Sequence, residues 1–205
     1  MGLLSRLLRG AKGGAKKPRF SVVAHVAFEG AIRVLEAPLG EAWQYDEVER
    51  EGEGFIGMTL KYVLPASPTP LALMAKIYTI KPGFAPPPAD SAATDWNEIF
   101  GPLFSEISNV QVQATHLTTM TGRALPAAEA ILDGRGADSG APLRIRERRA
   151  ALNEEEFIVT AMGTPELFAA HAGDIDRWFS TAAFVPISDA RTSPQAGPGI
   201  EANGS

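Results

Sequence analysis

FIGMTLKYVLPASPTPLALMAKIYTI, from Phe55 to Ile80, holds two strand signatures of different kinds. In Phe55 to Leu64, the residues Ile56, Met58, Leu60, Tyr62 and Leu64 alternate with Thr59 and Lys61, the period of two that turns one face of a strand into a core. PASPTP (Pro65 to Pro70) supplies a turn. Leu71 to Ile80 is apolar on both faces except at Lys76, as expected of an inner strand covered on each side. A sheet built around such a strand needs cover on both faces, and two segments offer it.

The first comes after KPGFAPPPAD. Ser91 or Thr94 can cap a helix in which Trp96, Ile99, Phe100, Leu103, Phe104 and Ile107 recur at helical spacing, with Pro102 kinking or splitting it. The second opens with Thr164 as cap and Pro165 at its first position, and its stripe is Leu167, Phe168, His171, Ile175, Trp178, Phe179 and Ala182. Further strands are predicted at 20–26, 32–35, 110–121, 127–132, 143–149 and 156–162, separated by turn-rich segments such as GRALP and DGRGADSG. The expected architecture is α+β: an antiparallel sheet sandwiched between helices, an α/β/α arrangement over residues 20–187. The polar, Pro- and Gly-rich stretch 188–205 is expected to be a disordered tail.

The start of the chain is of another character. MGLLSRLLRGAKGGAKKPR carries Arg6, Arg9, Lys12, Lys16, Lys17 and Arg19 and no acid, so of 19 basic residues 13 remain for the body against 24 acids, a net charge of −11. Leu3, Leu4, Leu7 and Leu8 fall on one arc of a helical wheel opposite Arg6 and Arg9, and Gly10, Gly13 and Gly14 turn residues 10–19 into a flexible tether. Residues 1–19 therefore read as a basic amphipathic helix and tether whose leucines and cations contact an anionic membrane surface or a protein partner. The arginines interrupt the apolar run that a secretory signal needs, and no run approaches the ~20 apolar residues of a membrane span. Myristoylation is not expected either, because that pattern requires Ser or Thr where Arg6 stands. A cytoplasmic protein, peripheral at the inner membrane through its N-terminus, is the expectation.

The stretch PLRIRERRAALNEEEFIVTAMGTPELFAAHAGDIDRWFSTAAF resembles the last two strands and closing helix of the PsbP/Mog/DcrB-like superfamily, and EAPLGEAWQYDE resembles its proline-containing turn followed by Trp43. The resemblance spans roughly residues 20–187. It implies an antiparallel sheet between helices and a non-enzymatic role, since members serve as photosystem assembly factors, as binders of a small GTPase, and as chaperones of secreted effectors. The family has no shared catalytic residues, and its members lack this basic N-terminus.

Candidate chemistry is sparse. The chain has no cysteine, and His25, His116 and His171 are widely separated on mostly apolar patterns, where a packing histidine is the commoner outcome. Asp133 to Gly140 looks like a calcium loop but has Ala137 and Arg144 where oxygen ligands belong, so a hairpin turn is expected and no metal. No phosphate-cradling glycine motif is present, and no cofactor is expected. Arg144, Arg146 and Arg148 share one strand face. They are either paired with Glu154, Glu155 and Glu156 across the hairpin or open to an acidic partner; nucleic acid is disfavoured by the acidic body. Trp43 and Tyr45 lie among Glu41, Asp46, Glu47, Glu49, Glu51 and Glu53, a solvated acidic loop by default and a protein-partner patch otherwise. Two functions stay open: a non-catalytic adaptor or chaperone-like protein-binding domain recruited by its N-terminal helix, and a hydrolase-like enzyme with a site assembled across the sheet from His116 and the acidic loop.

Overall fold

The hairpin at residues 55–80 forms in the register its alternation demands. In the computed structural model, which describes residues 21–24, 31–34, 42–85, 94–119 and 122–185, strands β4 (Phe55–Leu64) and β5 (Leu71–Ile80) pair antiparallel from Leu64 opposite Leu71 to Phe55 opposite Ile80. They sit inside a seven-stranded sheet of order β3-β4-β5-β9-β8-β7-β6. Its other strands are β3 (Gln44–Glu51), β6 (Phe104–Thr118), β7 (Ala124–Gly136), β8 (Pro142–Leu152) and β9 (Glu155–Gly163). All its pairs are antiparallel, so the chain lays down one meander, β3 to β5, and a second, β6 to β9, which joins the first along β5 and β9. A smaller sheet, β1 (Ser21–Ala24), β2 (Ala31–Val34) and β10 (Ala182–Val185), touches the larger one through a bridge between Phe184 and Thr119.

Among the described residues the helical elements are α1 (Trp96–Phe100), α2 (Pro165–Ala170), α3 (Ala172–Thr181) and a three-residue 3-10 turn at Gly101–Leu103. The expected α/β/α sandwich is not what forms: among the described residues the architecture is one open antiparallel sheet with a few short helices. The physical reason lies in where the apolar demand is. The inner strands β4, β5 and β9 are buried on both faces, whereas the edge strands β3 and β6 are largely polar and exposed. Full helix layers would find little apolar surface to cover at the edges, Val110 and Val112 of β6 being the exceptions.

On the first face of the sheet, Leu60, Tyr62, Leu73, Ile77, Phe157 and Val159 pack against Phe168, Ile175, Trp178 and Phe179 of α2 and α3 and against Phe184 of β10. Trp178 is the centre of this core. It is fully buried, meets Tyr62 edge to face at 5.6 Å, and donates its indole N–H to the Met74 carbonyl at 3.1 Å. On the second face Val63, Ala72, Met74, Leu132, Ile145 and Met162 pack beneath Trp96, Phe100, Leu103 and Phe104.

Three expectations about elements need correcting. The first helix ends after five residues because Pro102 cannot continue it, and it is capped by Asp95, which accepts from the Asn97 and Glu98 amides, rather than by Ser91 or Thr94. The second opens as expected, with Thr164 Oγ1 accepting from the Leu167 amide at 3.3 Å and Pro165 next. It breaks at His171, whose backbone (φ −117°, ψ 24°) leaves the helix, and Ala182 already belongs to β10. The acidic stretch after Trp43 is a strand, not a loop: β3 pairs along its whole length with β4, and Asp46 meets the buried Lys61 at 3.2 Å. The N-terminal helix and tether, His25, Ser91 and the 188–205 tail lie outside the described residues.

Candidate protein-binding edge

An antiparallel sheet exposes unpaired backbone on its two outermost strands, and the sequence treats these two edges differently. β3 presents Asp46, Glu47, Glu49, Arg50 and Glu51 in eight residues, with Glu51 held by Lys81 at 2.7 Å. Charge of this density is a standard guard against strand addition, because an incoming strand would have to desolvate it or meet like charges. β6 is fifteen residues long, carries Glu106 as its one formally charged residue, and has neither Lys nor Pro. Val110 and Val112 are 38% and 49% exposed there. From Asn109 to Thr118 its pairing with β7 is regular; β10 meets the outer side at Thr119, and toward Asn109 about every second residue offers an N–H and a C=O outward to a further strand. Below Asn109 the register shifts twice, between Ile107 and Asn109 and between Phe104 and Glu106, and these bulges bend the strand and end the flat part of the edge.

Side chains on β6 sort by face. Val110 and Val112 stand opposite Leu132 and Ala130, on the second face, and extend its apolar surface to the rim. Gln111 and Gln113 stand opposite Ile131 and Glu129 on the first face, where Gln113 donates to Glu129 Oε1 at 3.1 Å. A hollow of about 210 Å³ lies among Gln111, Val112, Gln113, Glu129 and Ile131. A second of about 300 Å³ continues from Ile131 to Arg144, Arg146, Phe168 and Asp176 beside α2 and α3. A strand added to β6 would set its first-face side chains next to the smaller hollow. Backbone bonds would supply its affinity, and the hollow its selectivity.

The structure brings the three strand arginines together but closes them inward. Arg144 donates through Nε and Nη2 to the two carboxylate oxygens of Asp133 at 2.6 and 3.0 Å. Arg146 is shared between Glu129 and Asp176 of α3, and its guanidinium lies 4.2 Å from the Phe179 ring centroid. Arg148 donates to Glu129 Oε2 at 2.9 and 2.6 Å and to the Phe179 carbonyl at 3.1 Å. Their partners thus come from β7 and α3, not from Glu154 to Glu156 across the hairpin. Burial pushes the Glu129 carboxyl up, yet Arg146 and Arg148 outweigh it and hold the group below its ordinary value. The trio is a clasp that ties β7 and β8 to α3.

Trp43 is buried and meets the His171 ring in a T-shaped contact, and Tyr45 packs on Tyr62 while its hydroxyl donates to Glu47. Neither therefore stands out as an anchor for a partner. His116 lies exposed on β6, whereas Asp46, Glu47, Glu49 and Glu51 lie on β3, at the opposite edge of the sheet, with Glu53 in the turn that follows and Glu41 outside the described residues. With six inter-strand steps between them the separation is on the order of 29 Å, so the fold does not assemble the hydrolase-like site. The Asp133 to Gly140 segment is the β7–β8 hairpin, with Gly140 at φ +63° in its turn and Asp133 engaged by Arg144. Among the described residues no cluster of three or more His, Asp or Glu is placed to hold a metal ion, and no helix is long and apolar enough to cross a membrane.

Two features escaped sequence reasoning. That β6 is an edge is decided by which strand pairs with which. The sequence signal available was the uncharged alternation Ser108-Asn-Val-Gln-Val-Gln-Ala-Thr115. The other is a buried ionic group on the second face, in which Glu147 accepts from Arg149 Nε at 2.6 Å and from Thr160 Oγ1 at 2.7 Å, with Lys76 Nζ at 3.6 Å. No protein-family model matches the chain, and no curated protein matches it.

Proposed function

We propose that this protein is a non-catalytic adaptor, or chaperone-like binding domain, that holds an extended segment of another polypeptide along the β6 edge. The observation that carries the reading is the contrast between the two edges: β3 is guarded by charge, whereas β6 is long, uncharged over its regular part and apolar at Val110 and Val112.

The N-terminal segment supplies location. Its six basic residues and four leucines favour an anionic membrane surface, each cation contributing about 1 kcal/mol near such a surface, and the contact is reversible. The strand edge then provides the specific contact and the tail the address.

A photo-crosslinking amino acid at position 112 of the full-length protein, compared in cells with one at position 49 on β3, tests the edge. Discrete protein adducts from 112 and none from 49 are expected; equal adducts from both, or none from 112, contradict the reading. In the same preparations, vesicles containing an anionic phospholipid should retain the full chain and lose most of a form lacking residues 1–19. Equal retention of the two removes the tail's role.

A further inference from the structure

β6 is close to symmetric about one residue. Asn109-Val110-Gln111-Val112-Gln113 reads amide, valine, amide, valine, amide from either end. An antiparallel pair related by a twofold axis through Gln111 therefore places Val110 opposite Val112 of a second copy, Asn109 opposite its Gln113, and Gln111 opposite itself. A twofold perpendicular to the sheet keeps each face on its own side. The valines meet on the second face, as a continuation of Leu132 and Ala130, and the amides meet on the first. The Gln113 amide N–H is already given to Glu129, which leaves its oxygen to accept from Asn109 of the second copy.

We propose that the strand accepted by β6 is β6 of a second copy of this chain, paired antiparallel about Gln111. The proposal rests on the reading of β6 as a strand-accepting edge and names its occupant. Three observations favour a second copy over an unrelated strand. The seam is self-complementary in every pair from 109 to 113. It is uncharged, so two acidic bodies meet along the one edge free of like-charge opposition. The far edges of the joined sheets are both β3, whose acids oppose further addition, so pairing stops at two copies instead of running on into a filament. The bulge below Asn109 confines the regular seam to about five residues from each chain, so the dimer dissociates on dilution. A dimer also carries two basic N-terminal segments, and simultaneous engagement raises avidity for a surface with no new contact.

The test is sedimentation velocity on the full-length protein over a concentration series, with Val110→Glu and Val112→Lys. Both positions are exposed, and circular dichroism checks that the variants remain folded. Each variant alone should weaken self-association by about tenfold, and an equimolar mixture should restore it, because one Glu–Lys and one Val–Val pair then face each other across the seam. Register is read independently in this cysteine-free chain. Gln111→Cys places two thiols with Cα atoms about 4.5–5.5 Å apart, within disulfide reach, whereas Gln113→Cys leaves them about 13 Å apart along the strand. Oxidation should therefore crosslink the first variant much faster than the second.

A wild-type protein that stays monomeric overturns the proposal, as does a dimer indifferent to both variants or a mixture that fails to restore association. If the wild type is monomeric while position 112 crosslinks to a different protein, β6 remains an acceptor edge and only the second copy is wrong. If position 112 crosslinks to nothing, both readings fall.

Discussion

Trp178→Ala is expected to destabilise the protein by about 3–5 kcal/mol, a large part of the roughly 5–15 kcal/mol that a domain of this kind commonly has. The side chain is fully buried where α3 crosses the first face of the sheet. Truncation removes its packing against Tyr62 and the neighbouring core and leaves a cavity that the surrounding strands, fixed by their ladders, cannot collapse to fill. It also takes the indole donor from the Met74 carbonyl. Trp178→Phe separates these contributions: it keeps most of the volume, loses the hydrogen bond, and should cost clearly less. Urea unfolding followed by far-UV circular dichroism measures both, and a midpoint for Trp178→Ala close to wild type would show that α3 does not dock on the sheet through this side chain.

Glu147→Ala should cost a similar amount for a different reason. The carboxylate is entirely buried on the second face, and removing it leaves Lys76 without its counter-charge, Arg149 with Glu156 as its remaining partner at 2.8 Å, and Thr160 without its acceptor. Breaking one partner out of a buried ionic group costs about 3–5 kcal/mol, most of it the penalty of the charges left behind. Burial alone would raise the carboxyl's pKa, but Arg149, Lys76 and Thr160 outweigh burial and hold it below the ordinary glutamate value. A depressed folded pKa means that the stabilisation is present above the unfolded value and is lost as pH falls through the folded one. Wild-type stability should therefore decline as the solution is acidified below about pH 4.3. Glu147→Gln should show a shallower decline, with the remaining slope coming from the other carboxyls depressed in the same direction, the buried Glu129 and the exposed Glu51 and Glu166. Urea midpoints measured over an acidic pH series check this, and parallel curves for wild type and Glu147→Gln would contradict the assigned coupling.

Parts of this fold are legible in the sequence because one cause dominates locally. The alternation in Phe55 to Leu64 forms the expected strand, although Thr59 and Lys61 on its other face are buried as well, and Thr164-Pro165 opens its helix as expected. The helix expected from Trp96 to Ile107 fails for a specific reason. Phe104 and Ile107 are three residues apart and would lie on opposite faces of a regular strand. The register shift between Phe104 and Glu106 adds one residue, so Phe104 faces Gly136 and Ile107 faces Gly134 on the same side. A β-bulge thus reproduces the helical spacing, and periodicity cannot distinguish the two. β3 is hidden by the opposite effect: its acids suggest a loop, yet they are the guard that an edge strand carries. The candidate edge is only half legible. Its strand character shows in the uncharged alternation around Val110 and Val112, but its exposure depends on β7 and β8 lying to one side of it, a matter of order in the sheet. The three arginines show the same limit, since their shared face is readable from spacing while their partners on β7 and α3 are not.

The outer side of β6 is held to be open to a strand, with a second copy of the chain filling it. Residue-resolved amide exchange along Asn109 to Gln113, measured on the full-length protein at high and at low concentration, tests this most directly. At low concentration protection should alternate, with amides that bond to β7 slow and amides that face outward fast. At high concentration every amide in the run should become slow, because the added strand engages the outward set. Alternation that persists at every concentration would contradict the accepted strand, and uniform protection at every dilution would contradict the open edge.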